Sequence, residues 1–164
     1  MKIWVITDTH FNHSKLIKYG RPEDYERRIQ KNLFRILNGD DLLIHLGDVA
    51  LKNPTQAHDD RVVQWPCKKW LCLGNHDNSS MGFYLNYWDA VAEYFLIKRY
   101  GKRILLSHYP AEDQGWFDIN VHGHFHDNDH RRADFLHVLN PNVHKLLAIE
   151  NTNYEPVLLE KLIQ

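Results

Sequence analysis

Lys2-Ile3-Trp4-Val5-Ile6-Thr7-Asp8-Thr9-His10 sets a short apolar, β-branched run directly against an acid and a histidine. Lys2 to Ile6 reads as a buried strand, and Asp8 falls just past its C-terminal end. The pattern recurs: Asp41 to Leu46 runs into Gly47-Asp48, and Trp70 to Leu73 into Gly74-Asn75. Between the first two strands, Glu23 to Leu37 carries Tyr25, Ile29, Leu33 and Leu37 at spacing four, one face of an amphipathic helix. Pro22 suits its first turn, and Asn38-Gly39 is expected to close it with a left-handed glycine cap. Thr55 to Gln64 and Met81 to Ala92 are expected as two further helices.

The second half changes character. Tyr94 to Arg99 and Arg103 to His108 flank Tyr100-Gly101-Lys102, a hairpin signal. Ile119 to His122, Phe135 to Leu139 and Lys145 to Ile149 complete the expected strands. Alternating strand and helix followed by mostly strand implies an α/β or α+β sandwich, its sheets covered by helices. Asp8, Asp48, Asn75 and His108 each sit at a strand's C-terminal end, the side where ligands gather in open α/β sheets.

The 164 residues read as one domain spanning 1–164. Apolar residues make up 43% and charged residues 25%, ordinary for a globular chain. A net charge of −1 argues against broad attraction to nucleic acid or to an anionic membrane. Cys67 and Cys72 make neither a zinc knuckle nor a disulfide framework and read as reduced, partly buried thiols. Neither a signal peptide nor an apolar run of about 20 residues is visible, so a cytoplasmic location is expected.

Histidine is the outlier, with 12 copies. Five blocks concentrate the oxygen and imidazole donors: Asp8-Thr9-His10, Gly47-Asp48, Gly74-Asn75-His76-Asp77, His108, and Gly123-His124-Phe125-His126. Asp8 and His10 are two apart, which on an extended backbone puts both on one face. His124 and His126 repeat that spacing, and Gly123 permits an unusual backbone angle or a close approach. Asp48 has two oxygens, enough to bridge two ions. Two divalent ions balanced by two carboxylates and a hydroxide leave a formal charge of about +1, attractive to a phosphate oxygen.

The ordered blocks D-x-H, GD, GNH followed by an acid, a lone His and GHxH resemble the calcineurin-like metallophosphoesterase superfamily. The words His10-Phe11-Asn12-His13, Arg21-Pro22, His45-Leu46-Gly47-Asp48, Ser107-His108-Tyr109-Pro110 and His122-Gly123-His124 resemble its small single-domain bacterial and phage members. Val49-Ala50-Leu51 after Asp48 departs from the GDxVDRG block of protein phosphatases, and no nuclease capping domain is appended. The resemblance implies a four-layer α/β/β/α sandwich of two mixed sheets. It implies one metal on Asp8, His10, Asp48 and His126, and a second on Asp48, Asn75, His108 and His124. A hydroxide bridging the two would attack phosphorus. Manganese is the first choice for this comparatively hard donor set, with iron, zinc or nickel as alternatives.

The resemblance also places His76 facing the substrate, to protonate the leaving oxygen, with Asp77 fixing the turn or orienting His76. Asn12, His13 and Arg21 are candidates for lining the pocket, Arg21 by phosphate recognition. His122 is a candidate for bonding a ligand carboxylate. His45 reads as a satisfied core group, and His58, His130, His137 and His144 as surface or structural. His130-Arg131-Arg132 is a solvated loop or a basic rim, and most tryptophans are expected in the core. The expected substrate is a small phosphate ester, a nucleotide or cyclic nucleotide among the options, with no membrane and no stable nucleic-acid partner. A nuclease on single-stranded ends and a non-catalytic scaffold are the alternatives.

Overall fold

The computed structural model describes residues 1–127 and 131–164. Strands β1 (Ile3–Ile6), β2 (Leu42–His45), β3 (Lys68–Cys72), β4 (Ala90–Ala92), β5 (Tyr94–Arg99), β6 (Lys102–Ser107), β7 (Ile119–His122), β8 (His144–Leu146) and β9 (Val157–Leu158) form two sheets. The first has the order β4-β3-β2-β1-β9, parallel except for β9. The second has the order β5-β6-β7-β8, with an antiparallel β5-β6 hairpin and parallel pairs thereafter. Helices are α1 (Lys15–Lys18), α2 (Tyr25–Ile36), α3 (Pro54–Asp60), α4 (Met81–Tyr84) and α5 (Leu159–Leu162). Both sheets are mixed, and the whole is the expected α/β sandwich.

Strand alternation divides the core in two. Ile6, Leu43 and Leu71 point one way, onto Tyr25, Ile29 and Leu33 of α2 and onto Trp65 and Trp88. Val5, Ile44 and Cys72 point the other way, onto Ile104, Leu106, Ile119 and Val121 of the second sheet. Burial of each such aliphatic side chain contributes about 1.5–3 kcal/mol. The outer face of the second sheet carries buried Asn120 and His122. Asn120 donates to Leu105 O and Ser107 Oγ and accepts from Ala111 N. The 3-10 turn Arg132–Phe135 and the chain after it lie over His122 and His144.

Several expected elements change. Helix α2 ends because Leu37 turns extended (φ −81°, ψ 142°) to bury its own side chain. Gly39 takes no left-handed cap. Met81 to Ala92 is helical only over α4, where Ser80 Oγ accepts from Phe83 N. The open edge of β3 captures Ala90–Ala92 as β4, because an unpaired sheet edge satisfies backbone groups that a helix would have to satisfy internally. Phe135 to Leu139 is not a strand: β8 already occupies the edge of β7, and Phe135 instead packs its ring 5.3 Å from Phe125. Cys67 and Cys72 are free and buried, and burial pushes the Cys67 thiol up to about 11. Among the described residues, no helix is long and apolar enough to cross a membrane.

Candidate metal centre

The loops following β1, β2, β3, β6 and β7 meet along one edge and bring Asp8, His10, Asp48, Asn75, His108, His124 and His126 together. One group is His10 Nε2, His126 Nε2 and Asp8 Oδ1: the two nitrogens are 3.2 Å apart, and they lie 3.6 and 3.7 Å from the oxygen. The other is His108 Nε2 with Asn75 Oδ1 at 3.0 Å and His124 Nδ1 at 3.1 Å. Asp48 Oδ2 lies 3.6 Å from both His10 Nε2 and His108 Nε2. It belongs to both groups.

The backbone achieves this differently from the extended geometry that the spacing suggests. Asp8 (φ 50°), His10 (φ 47°), Asp48 (φ 58°), His124 (φ 73°) and His126 (φ 55°) all occupy the left-handed region. For non-glycine residues that costs of order 1–3 kcal/mol each and persists only where the surroundings over-determine it. The restraint is visible. Asp8 N and His10 N donate to Gly47 O and Asp48 O, both at 3.0 Å. The Asp8, Thr9 and His10 carbonyls accept from Arg21 Nη2, Arg21 Nη1 and Tyr25 OH. Gly123 serves by close approach: a Cβ there would run into Thr7 Oγ1 and Asp8 Oδ2.

Each carboxylate is half satisfied. Asp8 Oδ2 accepts from Thr7 Oγ1 (2.6 Å) and His124 N (3.1 Å), and Asp48 Oδ1 accepts from His76 N (2.8 Å). Asp8 Oδ1 and Asp48 Oδ2 are buried with no hydrogen-bond partner. Buried unpaired carboxylate oxygens are costly, and both face the imidazole nitrogens. Burial pushes the imidazoles of His10 and His124 down to about 3 and about 4, so each holds a free lone pair at neutral pH. Burial, and then the Asp8 charge, push Asp48 up to about 7, while Asp8 is held well below its ordinary range by the surrounding histidines despite its burial. Neutral imidazoles, an amide oxygen and two half-satisfied carboxylates form a donor set that fits two divalent cations.

Outer contacts orient these donors. His108 Nδ1 donates to Leu46 O (2.8 Å), which leaves Nε2 as the free nitrogen. His126 Nδ1 lies 3.0 Å from Glu150 Oε1, which likewise frees Nε2. His45 Nδ1 accepts from Gly47 N, and its Nε2 donates to Thr9 Oγ1, which in turn donates to Val49 O. It is a satisfied core group that ties the loops after β1 and β2 together.

The remaining candidates separate. His76 stands at the rim, its Nε2 3.9 Å from Asp48 Oδ2 and its ring 5.3 Å from that of His10. Asp77 does not reach outward: its oxygens accept from Asp48 N, Val49 N and Gly74 N, so it braces the Asp48 loop. Arg21 lies in the wall of the space beside His126, with its guanidinium engaged within the fold. It is 4% exposed, and besides the two carbonyls above it donates from Nε and Nη2 to Glu150 Oε1 at 2.9 and 2.6 Å. Asn12 is turned away, its amide donating to Lys52 O. His13 stays at the rim, its ring 5.5 Å from that of His10. His122 Nδ1 meets Gly123 O and bonds no ligand carboxylate. His58 and His144 are buried, and His130 lies outside the described residues. Sequence reasoning misses Glu150, which no motif marks, and Tyr109, whose hydroxyl donates to Asn75 Oδ1 (3.1 Å).

The family model described as the calcineurin-like phosphoesterase superfamily domain matches residues 1–145. The chain belongs to that superfamily. An uncharacterized protein of Methanocaldococcus jannaschii is 29% identical to this member over 99% of this chain and 90% of its own length. The crystal structure of a protein of unknown function from Aquifex aeolicus matches with a TM-score of 0.76 and 27% identity, covering 98% of this chain and 96% of that one. Both of these relatives match the superfamily member over nearly its whole length.

Proposed function

We propose that this chain is a dinuclear metal-dependent phosphoesterase of the small single-domain kind, hydrolysing phosphodiesters, phosphomonoesters or both. The observation that carries the reading is the pair of donor groups sharing Asp48 Oδ2, each with a buried unpartnered carboxylate oxygen. Asp8, His10, Asp48 and His126 would hold one ion, and Asp48, Asn75, His108 and His124 the other. Bound there, two divalent ions supply Lewis acidity to a phosphoryl oxygen and a hydroxide nucleophile at neutral pH. Manganese is the first choice, with iron, zinc or nickel as alternatives.

The protein's own part is orientation and proton transfer. His76 is half-buried and is shifted below its ordinary range, by desolvation first and then by the Arg131 charge. Its position beside Asp48 and outside the tight groups suits it to protonate the departing ester oxygen. Tyr109 fixes the Asn75 amide, and Asp77 fixes the turn that carries His76. Free, buried Cys67 and Cys72 agree with a cytoplasmic protein.

The test is a substrate panel run separately with Mn2+, Fe2+, Zn2+ and Ni2+. It comprises aryl mono- and diesters, 2′,3′- and 3′,5′-cyclic nucleotides, and oligonucleotides. Cleavage of at least one ester that is abolished by chelation and restored by the ion is expected. A preparation carrying two ions per chain that cleaves none of them refutes the assignment.

A further inference from the structure

Two cavities flank the metal centre, and they differ in chemistry. Beside His126 lies one of about 610 Å³, with His13, Tyr19, Arg131, Glu150 and Tyr154 in its wall. Beside Asn75 and His108 lies one of about 500 Å³, walled by Tyr94, Tyr109 and Trp116, with Glu93 at its edge. Asn75 and His108 belong to both the metal group and the wall of this second cavity, so the two sites adjoin.

The aromatic walls are only partly explained by packing. Tyr94 and Trp116 meet edge to face with ring centroids 5.7 Å apart, while Tyr94 remains 51% exposed and Tyr109 39% exposed. Trp65 and Trp88, by contrast, are 3% exposed in the core. Glu93 is exposed and makes no hydrogen bond or ion pair among the described residues. Aromatic faces with a single free acceptor describe a site for a flat ring that presents N–H groups at its edge.

We infer that this cavity seats the base of a nucleotide substrate, stacked on Trp116 and Tyr94 with an amino or imino edge toward Glu93, while the phosphate reaches the Asn75–His108 end of the metal centre. The inference rests on the phosphoesterase reading and adds its substrate class. The opposite cavity also carries two tyrosines, Tyr19 and Tyr154, but no tryptophan among the described residues, and it sets them among the charges of Arg21, Asp127, Arg131 and Glu150.

The test compares a guanosine 2′,3′-cyclic phosphate with 1-O-methylribose 2′,3′-cyclic phosphate, which keeps the ester and lacks the base. Base stacking on an aromatic side chain is worth about 5- to 150-fold in affinity, so the base-bearing ester should show a KM lower by about that factor. Trp116→Ala and Tyr94→Ala should each raise KM for the base-bearing ester toward that of the base-free ester. Tyr94 is the more exposed of the two and guards against a folding defect at Trp116. Equal kcat/KM for the two esters in the wild type overturns the inference and leaves the phosphoesterase reading standing, as does equal loss on both esters in the variants. If the metal-loaded wild type cleaves neither cyclic ester, the phosphoesterase reading is decided by the wider panel above. The cavity is then read by tryptophan fluorescence with guanosine 5′-monophosphate. Saturable quenching that disappears in Trp116→Phe supports the seat, and no such quenching overturns it.

Discussion

Glu150→Gln probes how the His126 end of the centre is held. Glu150 Oε1 accepts from Arg21 Nε (2.9 Å) and Nη2 (2.6 Å) and stands 3.0 Å from His126 Nδ1. Glu150 Oε2 has no partner. The amide can therefore put its oxygen where Oε1 is and its nitrogen where Oε2 is, keeping these contacts and deleting only the charge. Arg21 is 4% exposed and would then lie buried with no counter-ion. Breaking a buried pair costs about 3–5 kcal/mol, and the retained hydrogen bonds argue for about 3. In a chain of this length that lowers Tm by about 6–12 °C. His126 also loses the charged partner on its Nδ1, a change typically worth about 10- to 100-fold in metal affinity. Calorimetric Mn2+ titration should therefore show one of the two ions weakened by that factor and the other little changed. Glu155→Gln is the control: its pair with Arg35 (2.6 Å) is exposed, and such pairs contribute about 0–1 kcal/mol. Wild-type Tm and two wild-type affinities in Glu150→Gln would refute the argument.

Two further outcomes follow from the same geometry. His76→Ala should lower kcat on the best ester about 10²- to 10⁴-fold, with metal content by mass spectrometry unchanged, because all seven donors named above remain; full turnover removes it from the reaction, and loss of an ion makes it a ligand, since His76 also groups with His10 and Asp48. In the metal-free protein Asp48 is pushed up to about 7, by burial first and the Asp8 charge second. A folded value above the unfolded one means that this group favours the fold below about pH 4, and that the contribution is lost as pH rises through 7. A cation on the same oxygen competes with that proton, so the Tm gained with Mn2+ over chelator should grow from pH 5 to 8, with proton release on binding below pH 7. A gain flat across that range would contradict it.

The β1, β2 and β3 runs were legible because each is a compact apolar word followed by a polar tip, and parallel pairing needs no more than that. Helix α2 was legible through Tyr25, Ile29 and Leu33, which repeat at a helical spacing and are all buried. Phe135 to Leu139 and Met81 to Ala92 depart from the expected elements for one reason. Short apolar or aromatic runs do not declare a period, and which sheet edges lie open is settled by distant strands. Strand β9 has two residues, too few for a pattern.

The residue types at the strand tips, two acids, an amide and a set of histidines in fixed order, were determined by the sequence alone, and with them a donor set suited to divalent cations. Tertiary structure decided their use. It turned Asp8, His10 and Asp48 into left-handed backbone rather than extended strand, sank Arg21 beneath the loop, and brought Glu150 to His126 from 24 residues away. Those outcomes depend on which buried carbonyl or charge finds a partner across the fold, and neither spacing nor composition encodes that choice locally.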